Sequence, residues 1–475
     1  MRATQRVWAL VTVSLATFMT YVDNNIVNVA IPAIQRDLGL TTSGLEWVVS
    51  AYLLAFASLL LAGGRLGDVL GRRRLFVIGL TVFTLASLAA GLAGNVDVLV
   101  TSRAIQGIGA ALVTPTTLSI ITNVYPDAKE RTAAIGIWSA VGALALAVGP
   151  LLGGLISQHL AWGWIFFINV PVGAATVVAG LWAIPADASV AARRSLDVPG
   201  IVLSAVGLLG LTYALIEGQG KGWTSAPIMT GFALAAGAFV LFTLVERTTK
   251  DPMVDVRLFT DRVFTGGITA IVMWGFGLFG IYFFTSLYLQ GVLGFSPTEA
   301  GAAFVPMALL MATGAVLADR ISARIGAHRS AGLAMLLMAA GIASVTLLGE
   351  GSSYLSLMPS FALIGVGGGL SVPLTAMIIG TMPVAQAGVA SGIFNAAREV
   401  AGLLGITVIG AILINRQTAA LHAGHTVTAS FLSGYRWGLV VAAILVAAGG
   451  VAAYFALRNT TPNPALAAEP ELVLA

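Results

Sequence analysis

The sequence predicts an all-α polytopic membrane protein with about fourteen transmembrane helices. Three observations lead there. The 475-residue chain is 58% hydrophobic and only 9% charged, where a soluble globular domain carries about 25% charge. Apolar runs of about 20 residues, the length that crosses a hydrocarbon core, recur from end to end. Arginine and lysine concentrate in alternate short loops.

The runs fall at 8–31, 45–63, 75–94, 98–121, 132–157, 164–184, 198–216, 227–245, 264–290, 299–318, 330–348, 353–380, 388–414 and 436–457. The first has the basic start of a secretory leader, but it continues past Asp23 to Ile31 without a convincing cleavage site. It is therefore expected to be a retained first span. One set of loops holds Arg65 and Arg72 to Arg74, then Lys129 and Arg131, Arg193 and Arg194, Arg247, Lys250, Arg257 and Arg262, and Arg320, Arg324 and Arg329. The alternate set holds only Arg36, Lys221 and Arg416. Basic loops stay inside, so the first set and both termini are expected to be cytoplasmic. That requires an even number of spans and favours fourteen over thirteen.

Leu66-Gly67-Asp68, followed by Gly71 and Arg72, is echoed by Leu317-Ala318-Asp319-Arg320, followed by Arg324 and Gly326. Such internal repeats mark the halves of transporters. The expected division is a six-helix bundle at 1–184, two inserted helices with their linkers at 185–263, and a second six-helix bundle at 264–458. A Pro/Ala/Glu-rich tail at 459–475 is expected to be disordered.

Several function classes drop out. Cysteine is absent, which excludes disulfides, thiolate metal sites and a cysteine nucleophile. There is no Gly-x-x-x-x-Gly-Lys-Ser/Thr loop for ATP and no His-Glu-x-x-His zinc pair. His159, His328, His422 and His425 all lie in loops. No catalytic set, cofactor or metal is expected, so the chain is not read as an enzyme. Basic residues in short loops rather than on a soluble face argue against nucleic acid.

Gly64-Arg65-Leu66-Gly67-Asp68-Val69-Leu70-Gly71-Arg72-Arg73-Arg74 sets four arginines and an aspartate between two apolar runs. Gly64, Gly67 and Gly71 permit a tight turn and close helix approach. Asp68 is placed to accept bonds from helix N-terminal amides, from Arg72 or from Arg131. An ionic latch of this kind would bias alternating access, with Asp319 and Arg320 as its weaker counterpart.

Asp23 lies inside an apolar helix, where a charge costs several kcal/mol. It is the first candidate for a proton carrier. Arg103 sits at matching depth on an antiparallel helix, roughly 8–12 Å below the outer surface at 1.5 Å per residue. Gln106, one turn further, is placed to orient either partner. Arg398-Glu399 falls near mid-membrane. Glu399 could be a second proton site, a counter-ion for a cationic substrate, or the local partner of Arg398, although adjacent helical residues point apart. Gly149-Pro150 with Gly153-Gly154 removes bulk and one amide donor from the fifth helix. Trp274, Phe276, Phe279, Tyr282, Phe283 and Tyr288 on the ninth run either line an apolar cavity or face lipid. Asn25, Asn28, Gln106, Phe279, Tyr282 and Phe283 are the expected substrate-lining set.

Four motifs carry a resemblance. The 64–74 stretch resembles the Gly-x-Leu-x-Asp-x-x-Gly-Arg-Arg loop of the major facilitator superfamily. Arg103-x-x-Gln106-Gly107-x-Gly109 is similar to its fourth-helix motif. Gly136, Ala145, Gly149-Pro150 and Gly153-Gly154 resemble the fifth-helix motif of its proton-coupled antiporters, with alanine at 145 in place of a glycine. Asp23-x-Asn25-Ile26-Val27-Asn28-Val29-Ala30-Ile31-Pro32 resembles the first-helix motif of fourteen-span drug:proton antiporters, with Asn25 where threonine is usual. The resemblance implies the major facilitator fold and a monomeric, multi-pass protein of the cell membrane. It also implies export of a hydrophobic small molecule such as an antibiotic, coupled to protons, with no partner beyond substrate, protons and membrane lipid. It links Arg103 to proton relay and the fifth helix to sealing the site. Open alternatives are a proton symporter or importer of the same fold, and a non-transporting sensor.

Overall fold

The computed structural model describes residues 3–39, 42–186, 197–380, 382 and 386–458. The expected disordered tail, and Arg193 and Arg194 of the linker, lie outside the described residues. Seventeen α-helices occur among the described residues: α1 (Ala3–Leu38), α2 (Thr42–Leu70), α3 (Arg72–Gly91), α4 (Val96–Val124), α5 (Ala128–His159), α6 (Trp164–Phe167), α7 (Asn169–Ala183), α8 (Val198–Lys221), α9 (Ala226–Thr248), α10 (Arg262–Gly291), α11 (Pro297–Ala302), α12 (Val305–Ile325), α13 (Ala327–Val345), α14 (Met358–Leu370), α15 (Val372–Gly380), α16 (Ala387–His422) and α17 (Val427–Leu457).

Three spans are broken in two: α6 with α7, α11 with α12, and α14 with α15. Counted by span, thirteen segments are long and apolar enough to cross a membrane. α1, at 36 residues, completes the fourteen long helices. Asp23, Asn24 and Asn25 dilute its apolar character, which is why it falls outside the thirteen.

Local chemistry fixes the helix starts. Asn95 accepts a bond from the Val98 amide at 3.0 Å, and Asp127 accepts from Lys129 and Glu130 at 3.0 and 2.9 Å. Ser296 and Glu299 form a reciprocal capping box at the start of α11. Each satisfies amides that a helix N-terminus leaves without partners. Gly71, at φ +97°, links α2 to α3 by one residue, and Gly326, at φ +87°, links α12 to α13 in the same way. Both φ values lie where glycine is favoured. The sequence echo between the two stretches is thus also an echo in backbone shape.

α4 packs between α2 and α3, and α1 packs on α5 and α7. In the second half, α10 packs on α16 and α17, α13 on α17, and α12 on α14. The halves meet along α5 with α12 and α2 with α16. α8 and α9 pair with each other, and α8 rests on α2 and α16. The seams are glycine-dependent. A Cβ at Gly107 would meet the Tyr52 carbonyl oxygen at 2.5 Å, and one at Gly136 would meet that of Ala315 at 2.7 Å.

Candidate functional site

Asp23 is fully buried in α1, and Arg103 is fully buried in α4. Arg103 Nη1 donates to Asp23 Oδ2 at 2.6 Å. Asp23 Oδ1 accepts from Gln106 Nε2 at 3.0 Å and from Asn169 Nδ2 at 2.7 Å. Gln106 Nε2 also donates to Ser87 Oγ at 2.7 Å. The sequence-predicted pair is therefore brought together, and both carboxylate oxygens accept hydrogen bonds. A buried pair needs further hydrogen bonds on its remaining atoms; these donors supply them to the carboxylate, while Arg103 Nη2 has no hydrogen-bond partner among the described residues.

Arg103 keeps other partners as well. Its Nε donates to the Val48 carbonyl at 3.1 Å and its Nη1 to Gln106 Oε1 at 3.0 Å. Its guanidinium lies 4.3 Å from the Tyr52 ring centroid, a favourable cation–π distance. Asn169 had no role in the sequence reading. It stands at the first residue of α7, where the sixth span breaks at Ile168. Its sequence signal is an amide side chain within an apolar run.

The second centre is the latch. Asp68 is buried near the end of α2. It accepts from the Gly388 amide at 2.9 Å and the Val389 amide at 3.0 Å, both in the first turn of α16. Arg72 Nη2 approaches Asp68 Oδ1 at 3.5 Å. The carboxylate thus caps a helix N-terminus across the seam. The backbones nearly touch there: a Cβ on Gly64 would lie 2.2 Å from the Gly388 carbonyl oxygen. Gly388 and Val389 were not foreseen, because a backbone donor leaves no residue-type signature. Arg131, expected as a possible partner of Asp68, instead donates to the Pro126 carbonyl at 3.4 Å. The counterpart at Asp319 and Arg320 is not engaged. Asp319 is half-buried, Arg320 is exposed, and neither forms an ion pair among the described residues.

The fifth-helix glycines face two ways. A Cβ at Gly149 would meet Asn25 Cβ at 2.9 Å, and one at Gly153 would meet the Ile26 carbonyl oxygen at 2.7 Å, both on α1. One at Gly154 would meet Thr298 Oγ1 at 2.3 Å, on α11. Pro150 lies inside α5, which continues through it, and packs toward Gly301.

A central cavity lies between α1 and α5 on one side and α10, α12, α14, α15 and α16 on the other; Tyr21, Trp274, Phe279 and Arg398 are among its lining residues. Phe279 is thus the one expected lining residue that the structure places there. Of the other expected residues, those whose side chains are described lie elsewhere. Gln106 belongs to the Asp23 network and does not line the cavity. Asn25 donates to the Tyr21 carbonyl at 2.7 Å and packs on α5. Tyr282 stacks on Phe304 with centroids 4.2 Å apart, inside the second bundle. Phe283, one helical turn beyond Phe279, is 47% exposed. The side chain of Asn28 lies outside the described residues.

Arg398 Nη2 pairs with Glu399 Oε1 at 3.2 Å and also contacts the Tyr21 hydroxyl. The local pair, expected to be strained, forms because the arginine chain is long enough to fold back. Tyr21 was not predicted; its hydroxyl reaches across the seam from α1.

The sequence matches the Major Facilitator Superfamily over residues 13–406. It is 36% identical to the puromycin resistance protein pur8 of Streptomyces alboniger, over 92% of this chain and 88% of that one. It is 37% identical to the multidrug resistance protein Stp of Mycobacterium tuberculosis, over 87% and 76%. It is 36% identical to the tetracenomycin C resistance and export protein of Streptomyces glaucescens, over 86% and 77%. Among solved structures, the human organic anion transporter MFSD10 aligns with a TM-score of 0.66 at 15% identity, covering 94% of this chain and 99% of that one. That likeness shows the fold. With the helical architecture and these relatives together, the chain belongs to the major facilitator superfamily, as a multi-pass membrane transporter related to antibiotic and multidrug resistance exporters.

Proposed function

We propose that this transporter exports a hydrophobic small molecule, of the antibiotic type named for its relatives, in exchange for protons. The observation that carries the reading is the Asp23–Arg103 pair at 2.6 Å, fully buried, with the carboxylate also accepting from Gln106 and Asn169. A proton on Asp23 cancels its attraction for Arg103. Arg103 then still holds the Val48 carbonyl, Gln106 and the Tyr52 ring. Loss of the proton restores the pair. Each protonation state thus has its own bonding pattern, which is what a coupling site requires. Glu399, paired with Arg398 at 3.2 Å beside the cavity, is the candidate second proton site.

In this reading residues 1–184 and 264–458 are two bundles that rock about the central cavity, with 185–263 inserted between them. The Asp68 latch closes the arginine-rich side, taken as cytoplasmic together with both termini, and the protein works as a monomer. α5 acts as a seal against leak, consistent with glycines that press it on α1 and α11. Inward proton movement supplies about 2.3 kcal/mol per charge per 100 mV.

Everted vesicles with a pH-sensitive dye test this. Substrate should release protons from acidified vesicles, and Asp23→Asn should abolish the response. Proton-coupled efflux left intact in Asp23→Asn would remove Asp23 as the carrier. Proton uptake together with substrate would indicate symport.

A further inference from the structure

We infer that the central cavity selects molecules whose polar atoms are hydrogen-bond acceptors, carbonyl- or carboxylate-bearing aromatics, and discriminates against lipophilic cations. This rests on the transport reading only in taking the cavity as the substrate site.

The charged lining decides it. The transmembrane carboxylates nearest the cavity are Asp23 and Glu399, and neither lines it. Asp23 has both oxygens occupied by Arg103, Gln106 and Asn169. Glu399 holds Arg398 at 3.2 Å from beside the cavity. Arg398, more than nine-tenths buried, is the one charged residue among those lining the cavity. A cation entering would lose its hydration, meet the Arg398 guanidinium and find no carboxylate among the described lining residues, since Glu399 is already committed to Arg398.

The hydrogen-bonding atoms agree. The indole N–H of Trp274, in the lining, has no partner among the described residues, nor does Arg398 Nε. Both are donors only. Of the other polar lining groups, Thr17 Oγ1 already accepts from Trp138 Nε1 at 2.7 Å. A buried donor without an acceptor costs about 1–3 kcal/mol, so an acceptor on the substrate is favoured. Phe279 and Phe394 supply apolar wall on α10 and α16, suited to a flat ring system.

Binding to the purified full chain in lipid nanodiscs tests the inference. Fluorescence polarisation of four probes on one scaffold is read against empty nanodiscs: 2-anthroate, 2-acetylanthracene, 2-ethylanthracene and 2-(aminomethyl)anthracene. The carboxylate and ketone should bind more tightly than the ethyl compound, and the ammonium most weakly. The carboxylate-to-ammonium ratio should be about tenfold, a factor equivalent to 1.4 kcal/mol. Arg398→Gln should collapse that ratio, while Trp274→Phe should narrow only the ketone-to-ethyl gap. The inference is overturned if the ammonium binds as tightly as the carboxylate, if no probe binds, or if Arg398→Gln folds and leaves the ratio unchanged. The wild-type ranking stands as a test even where a variant fails to fold. Proteoliposomes separate the two readings: ranked binding without proton-driven movement of 2-anthroate upholds the cavity assignment and refutes export.

Discussion

Asp68 and Gly388, separated by 320 positions, are joined by a 2.9 Å hydrogen bond from the Gly388 amide to the Asp68 carboxylate. This bond and its neighbour from Val389 tie α2 to the first turn of α16. Replacing Asp68 with Asn removes the charge that two amides and Arg72 address. Hydrogen bonds to charged groups contribute about 1.5–3 kcal/mol each, so the arginine-rich end should open in a large share of molecules. The chain has no cysteine, so spin labels at single engineered cysteines on α2 and α16 report that distance directly. An unchanged distance distribution would show that the latch does not hold the ends together.

Gly64→Ala should give the same opening with the carboxylate intact, because the new methyl would lie 2.2 Å from the Gly388 carbonyl oxygen. Gly67→Ala meets the Thr116 methyl at 3.2 Å and Leu75 Cδ2 at 3.7 Å, both side-chain atoms, and should be much milder. The two variants, measured with the same label pair, separate backbone approach from charge.

Asp319→Asn should leave both the label distances and transport within twofold of wild type. Asp319 is half-buried and forms no ion pair among the described residues. A loss of transport equal to that of Asp68→Asn would show that the second repeat latches in another conformation.

Arg103→Gln in the presence of Asp23 strands a buried carboxylate. Removing one member of such a pair costs about 3–5 kcal/mol, so the thermal midpoint of the purified protein should fall by several degrees. The double variant Asp23→Asn/Arg103→Gln removes the lone charge and should recover much of the loss, though not proton coupling. Additive destabilisation in thermal unfolding would contradict the pairing.

Gly153→Val should push α1 from α5, since even a Cβ would sit 2.7 Å from the Ile26 carbonyl oxygen. Overpacking of this kind costs about 1–3 kcal/mol. Reduced thermal stability and a raised passive proton leak in vesicles are the expected readouts.

Much of this was legible in the sequence because membranes constrain it strongly. The fourteen apolar runs follow from length alone, and a lone aspartate in an apolar helix points to a partner. Arg103 could be named as that partner because depth along two antiparallel helices is simple arithmetic. Asn169 was not found, because its contact with Asp23 depends on the break at Ile168, a feature of three-dimensional packing. Phe283 and Tyr282 were misplaced for a related reason. Both stand one turn beyond Leu278 and Phe279, which line the cavity, and residue spacing does not say how far along α10 the cavity extends. Gly388 escaped because an amide donor is common to nearly every residue.

The receiving half of the Asp68 latch is main chain. Side chains on α16 can therefore change without altering the groups that the carboxylate grips, provided position 388 stays small. Phe394 and Arg398, about two and three turns further along the same helix, face the cavity. In the proposed reading, substrate choice and the closing of the gate would share one helix yet draw on different atoms, so that preference could change while the switch is kept.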